Sequence, residues 1–112
     1  MIPSVRLGDG NIREQPGTFS IVRTGQIVGS VTAAQLPNVP CYMVKFKSSG
    51  GNSGSFYIGG AGVTIPDGTA DATSGFEIEK GEQTDWIPVN NLNVLYLISA
   101  HATDELTYLA LI

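Results

Sequence analysis

Ser55-Phe56-Tyr57-Ile58-Gly59-Gly60-Ala61-Gly62-Val63 is the stretch from which the rest of the chain is read. Phe56, Tyr57 and Ile58 are aromatic and β-branched, residue types that suit a pleated, half-buried surface. Gly59, Gly60 and Gly62 then fall within a few positions of one another before Val63 resumes the apolar pattern. Glycines inside a strand pattern mark a bulge, a bend or the close approach of another backbone. The stretch therefore reads as a strand that crosses a sheet and turns hard at its rim.

Working outward, Cys41-Tyr42-Met43-Val44-Lys45-Phe46-Lys47 shows the clearest alternation. Tyr42, Val44 and Phe46 share one face, and Cys41, Met43, Lys45 and Lys47 the other. The loop Ser48–Gly54 leads from this segment into the glycine-rich strand, so the two are expected to form an antiparallel hairpin. Upstream, Thr18–Arg23 reads as a strand, Thr24-Gly25 as a turn and Gln26–Val31 as a new strand. Pro37 and Pro40 make a corner that excludes a central strand there. Downstream, Phe76–Lys80 alternates, and Asp85–Val89 is confined to an edge or bulge by Pro88. Val94–Ser99 and Leu106–Ile112 are the most apolar runs and are expected to pair across residues 101–105. No segment offers three turns of amphipathic helix. About eight short strands at regular spacing predict an all-β antiparallel β-sandwich. A jelly roll is the leading topology, with another Greek-key sandwich open beside it.

The chain has 112 residues, of which 42% are hydrophobic and 14% charged. The charged share lies well below the usual ~25%, which favours a packed fold over disorder. Such a length suits one domain, assigned to residues 18–112. Residues 1–17 lack a clear period and are either a frayed terminus or an extended N-terminal arm, and their four aliphatics favour the arm. Its aliphatic residues Ile2, Val5, Leu7 and Ile12, together with Arg6 and Arg13, are the candidate partner-binding residues, poised to add a strand to a neighbour or fill a groove on it. Residues 1–50 hold five basic and two acidic side chains, residues 51–112 one basic and eight acidic. This asymmetry suits docking of copies, or of a copy and a partner, in one orientation; scattered exposed turns would produce it too. Basic residues do not interleave with aromatics, so no nucleic-acid partner is expected. The start has no apolar h-region, and no apolar run reaches the ~20 residues of a membrane helix, so neither export nor a membrane partner is expected.

Residues with chemical potential are few. Cys41 is the sole cysteine, which excludes an internal disulfide or a cysteine zinc site. His101 is the sole histidine, too few for a metal cupin. Ser99, His101 and Asp104 supply the residue types of a hydrolase triad, but a triad is defined by geometry and a solvated turn is the plainer reading. Asp67 and Asp71 lie four apart around Gly68, without the order or closing acid of an EF-hand. The loop Ser49–Gly54 lacks the lysine of a phosphate-binding loop and enters a strand. Trp86 and the tyrosines Tyr42, Tyr57, Tyr96 and Tyr108 suit sheet packing before a sugar platform. No catalytic residue, metal or cofactor is assigned, and the chain is read as other than an enzyme.

One set of motifs, in order, resembles a group of small virion proteins of tailed bacteriophages. It comprises Leu36-Pro37-Asn38-Val39-Pro40-Cys41 leading into a strand, then Asn52, Gly54, Tyr57, Ile58, Gly59, Gly60, Gly62 and Val63. The turn Gly81-Glu82 follows, then the run Val89–Ser99 and the closing Leu106-Thr107-Tyr108-Leu109-Ala110-Leu111-Ile112. The resemblance covers residues 27–112 and leaves out the arm. It implies a jelly-roll-like β-domain serving as a capsid decoration (cement) protein on the outer surface of the head, made in the host cytoplasm. It further implies a homotrimer whose partner is the major capsid protein. The alternative it carries is a tail, fibre or host-surface-binding module.

Overall fold

The computed structural model describes residues 21–112, so the arm, with Ile2, Val5, Arg6, Leu7, Ile12 and Arg13, lies outside the described residues. Seven strands are present among these residues: β1 (Val22–Val28), β2 (Ala34–Gln35), β3 (Met43–Ser48), β4 (Phe56–Gly59), β5 (Phe76–Ile78), β6 (Tyr96–Ser99) and β7 (Glu105–Leu111). One 3-10 turn, Leu92–Val94, precedes β6. The strands form two antiparallel sheets, ordered β1-β7-β3 and β2-β6-β4-β5. The fold is all-β, as the short alternating runs predict. It has seven strands in place of about eight: the expected strands on either side of Thr24-Gly25 run together as β1, residues 85–89 make only an isolated bridge, Ile87 with Val44, and β2 is an addition.

Both sheets contribute to one core. Val44 and Phe46 of β3 and Leu106 and Ala110 of β7 meet Phe56 and Ile58 of β4, Ile78 of β5 and Leu97 of β6. Leu36, Val39 and Leu92 complete it from the connections. The expected inner face of β3 is correct for Val44 and Phe46, whereas Tyr42 precedes the strand and is exposed. Fully burying a side chain of this kind stabilises by about 1.5–3 kcal/mol before the entropy of ordering is set against it.

Two expected hairpins do not form. β3 pairs with β7 and β4 with β5 and β6, so Ser49–Ser55 crosses from one sheet to the other. β6 and β7 likewise belong to different sheets, and residues 100–104 cross between them. The expected turn at Thr24-Gly25 is also absent, since β1 runs straight through it. Gly25 serves packing there: the Tyr108 ring lies across its inner side, and a Cβ on Gly25 would sit 2.6 Å from the Tyr108 hydroxyl. The glycine run after β4 behaves as read. The chain turns at Gly60–Gly62, with Gly62 at φ 80°, a conformation that favours glycine, and Val63 drops back into the interior.

The two crossings are locked together at one end of the molecule. Asp104 is buried and its carboxylate accepts the backbone N–H groups of Ser53 at 2.8 Å and Gly54 at 3.0 Å. Asn52, also buried, accepts from the Glu105 N–H at 2.8 Å and donates to the Glu105 carbonyl and the Ser48 hydroxyl, both at 2.9 Å. At the other end Asn91 caps the 3-10 turn by accepting from Asn93 N–H, and accepts from Val39 N–H as well. Replacing Asn52 with Ala strands buried polar partners, so Asn52→Ala is expected to cost about 2–4 kcal/mol in chemical denaturation. Ser53→Ala, at an exposed side chain, is expected to shift stability by less than about 0.5 kcal/mol.

Candidate docking face

The outer side of the β1-β7-β3 sheet presents a continuous face of side chains. Antiparallel register places side chains in rows across it. One row is Val22, Leu111 and Met43; the next is Thr24, Leu109 and Lys45; the third is Gln26, Thr107 and Lys47. Val28 stands opposite Glu105 at the far end. The face is thus apolar at one end and polar at the other, and Val22 at 56% and Val28 at 61% are strongly exposed. A groove of about 560 Å³ runs over it, lined chiefly by Thr24, Gln26, Lys45, Lys47, Gln83 and Thr107.

The two long edges of this sheet differ. Along β3, the segment 81–87 closes the edge: Val44 and Ile87 exchange both backbone hydrogen bonds, Thr84 N–H donates to the Phe46 carbonyl, and Ser48 N–H donates to the Glu82 carbonyl. Along β1 no described strand pairs with the second edge. Ile112 N–H donates to the Ile21 carbonyl and Gly29 N–H to the Asp104 carbonyl, so the odd-numbered residues turn their backbone groups toward β7. By the alternation of an antiparallel ladder, Val22, Thr24, Gln26 and Val28 turn theirs outward.

A second hollow, of about 370 Å³, opens between β5 and residues 82–87. Phe76, 72% exposed, and Trp86 line it with Glu77, Glu82 and Asp85. Part of its polar equipment is engaged already: Glu77 accepts from the Ser55 hydroxyl at 2.7 Å, and Glu82 accepts from the Glu79 N–H at 2.8 Å. The Lys45 ammonium lies 4.8 Å from the centre of the Trp86 ring, a cation–π contact that joins this hollow to the outer sheet face.

The residues with chemical potential take other roles. Ser99 is buried, its hydroxyl donating to the His101 carbonyl at 3.2 Å and accepting from Ser30 N–H at 3.1 Å. The His101 ring lies against Gly54, and the Asp104 carboxylate is taken up by loop N–H groups. The three residues do not form a triad. No cluster of three or more His, Cys, Asp or Glu side chains arranged to hold a metal occurs among the described residues. Cys41 is half-buried, which pushes its thiol above the usual value, and its Sγ lies 3.5 Å from the Val89 carbonyl.

Sequence reasoning missed the apolar row. Nearly every residue from Leu106 to Ile112 is apolar, so no alternation marks Leu109 and Leu111 as outward. In comparisons with known proteins, no family model, curated protein or solved structure matches this chain.

The Asp71 carboxylate is engaged within its own loop. Its Oδ1 accepts from the N–H and hydroxyl of both Thr73 and Ser74. The Thr73 N–H foremost, then the Ser74 hydroxyl and N–H, hold its carboxyl below the usual range. A depressed folded value means that loop order supported by Asp71 is present above the ordinary carboxylate value and is lost as pH falls through the depressed one. Carboxyl titration followed by nuclear magnetic resonance is expected to place Asp71 below the exposed carboxylates, and Asp71→Ala to loosen residues 67–74 without unfolding the sheets.

Proposed function

We propose that this chain is a structural protein of a bacteriophage virion, a decoration protein that binds the outer surface of the head lattice through the outer face of its β1-β7-β3 sheet. The observation that carries the reading is the location of the motif residues. Asn52 sits in the buried clasp, Gly62 in the hard turn after β4, Asn91 at the cap of the 3-10 turn and Tyr108 over Gly25. These are the positions on which this fold depends, so a shared order of such motifs argues for a shared architecture, with a jelly-roll-like connectivity as its finer form. Function does not follow from architecture alone. The outer sheet face supplies the surface argument: an apolar row bordered by polar side chains has the layout of an interface core with a polar rim.

The segment 1–17, with its aliphatic and basic residues, is the second attachment element in this proposal. It reaches across the major capsid protein or an adjacent copy. A second reading, a tail or fibre module that binds the host surface, is favoured by the hollow beside β5, where exposed Phe76 and Trp86 stand next to carboxylates in the manner of a saccharide platform.

Calorimetry of shells with and without the protein separates these readings. A decoration protein binds only the assembled shell and raises its melting temperature in proportion to occupancy. Lys45→Glu and Leu109→Asp are expected to lower shell affinity by roughly tenfold or more while the domain stays folded. Deleting residues 1–15 is expected to weaken attachment in the same way. Unchanged shell melting, together with glycan binding abolished by Trp86→Ala, would favour the host-surface module.

A further inference from the structure

The free edge of β1 is the feature that neither the virion reading nor any motif uses. It spans seven residues, and no described strand covers it. The other open edges belong to β2 and β5, of two and three residues. Long flat edges invite pairing, and proteins usually blunt them with lysine, proline, bulges or short length. β1 has neither lysine nor proline; its one blunting residue is Arg23.

The sequence of β1, Val22-Arg23-Thr24-Gly25-Gln26-Ile27-Val28, has a nearly palindromic character about Gly25. Valines stand at both ends, polar Thr24 and Gln26 flank the centre, and the centre has no side chain. We propose that β1 pairs antiparallel with β1 of a second copy about a two-fold axis through Gly25, joining the two three-stranded sheets into one continuous sheet.

The backbone parity fits. Val22, Thr24, Gln26 and Val28 turn their backbone groups to the free edge, and in this register each meets a residue of the same kind: Val22 the second copy's Val28, Thr24 the second copy's Gln26. About eight inter-chain backbone hydrogen bonds follow from an unbroken ladder of this length. The two Gly25 residues form a non-hydrogen-bonded pair, the closer type. Tyr108, whose ring already reaches over Gly25 on the inner side, brings its hydroxyl to the seam from each copy.

Side chains fit as well. On the outer face the row Met43, Leu111 and Val22 is extended by the second copy's Val28, so the two strongly exposed valines of β1 cover each other. Arg23, the only charged residue of the strand, meets the second copy's Ile27, so no like charges are opposed. Residues 1–17 carry no such alternation, which favours a second copy over the chain's own N-terminal segment as the occupant. The inference rests on the strand edge and not on the virion reading. It gives a two-fold assembly where the family resemblance implies a threefold one.

An edge this short buries less than the ~1,200–2,000 Å² of a standard interface, so the dimer is concentration-dependent. Sedimentation equilibrium of the full chain from roughly 10 µM to 1 mM spans the affinities such an edge allows. A monomer–dimer equilibrium is expected. Thr24→Pro removes an outward N–H and leaves the β7 ladder intact, so it is expected to weaken the dimer by at least about tenfold. Val22→Lys and Val28→Glu each weaken it too, while the double variant V22K/V28E restores it to within about fivefold, because the introduced lysine of each copy then faces the introduced glutamate of the other. Residues 22 and 28 lie too far apart on one strand to compensate within a chain, so rescue reports the register. Circular dichroism checks that each variant is folded. A chain monomeric at 1 mM, a dimer or trimer indifferent to Thr24→Pro, or a dimer that appears only once residues 1–20 are deleted would each overturn the proposal.

Discussion

The buried pair Asp104 and Asn52 is the constraint on which the architecture depends. Two connections, β3 to β4 and β6 to β7, carry the chain from one sheet to the other at the same end of the molecule. Backbone groups that such crossings cover need partners, since an unpaired buried donor or acceptor costs on the order of 1–3 kcal/mol. Asp104 answers two N–H groups of the first crossing, and Asn52, from that first crossing, answers both backbone groups of Glu105 at the exit of the second. Each loop thus satisfies the other. Gly29 and Ser30 join the same end through Gly29 N–H to the Asp104 carbonyl and Ser99 N–H to the Ser30 carbonyl. With the crossings fixed, Phe46 and Leu106 from one sheet and Phe56 and Leu97 from the other have no alternative to meeting in the middle.

The strand class, the inner face of β3 and the hard turn after β4 were legible in the sequence because each follows from local chemistry. Alternation with period two marks Val44 and Phe46, and a glycine at positive φ marks the rim. The strand partners were not legible. A loop rich in glycine and serine, such as residues 49–55, serves a hairpin or a sheet-to-sheet crossing equally well, and what decides is the distant Asp104 carboxylate. Gly25 misled for a related reason. Thr24-Gly25 has turn chemistry, but the residue missing a side chain there makes room for Tyr108, which arrives from the last strand of the chain. The outer face was hidden by the apolar uniformity of β7, and the open edge of β1 is a property of sheet order that no local pattern encodes.

Edge protection explains why the two sheets look different. The β2-β6-β4-β5 sheet ends in very short strands, so little unpaired backbone remains. In the other sheet, β3 is sealed by residues 81–87 although Pro88 prevents that segment from continuing as a regular strand. Thr84 helps by using both its N–H and its hydroxyl on Phe46 backbone groups. Protection of this kind is absent from β1 within the described residues, and β1 is also the longest edge. A surface element left open where every comparable one is shortened or sealed is where an interaction belongs.

The charge asymmetry along the chain takes on a different meaning in three dimensions. By sequence, a basic first half and an acidic second half suit an oriented encounter between molecules. Among the described residues, the fold lays the lysines of β3 beside part of the acidic half. The bridges Val44 with Ile87 and Lys47 with Gln83 bring the lysines of β3 next to the segment that holds Glu82 and Asp85. Lys47 donates to the Gly81 carbonyl at 3.1 Å and Lys45 settles on Trp86. The lysines of β3 and the acidic segment thus share one flank, with Lys45 held by a ring and Lys47 by a carbonyl. The flank bearing β1 keeps Arg23 as its only charged strand residue, and so presents a nearly neutral edge. Recognition there rests on backbone hydrogen bonds and valine contacts, which depend on register and hardly at all on salt.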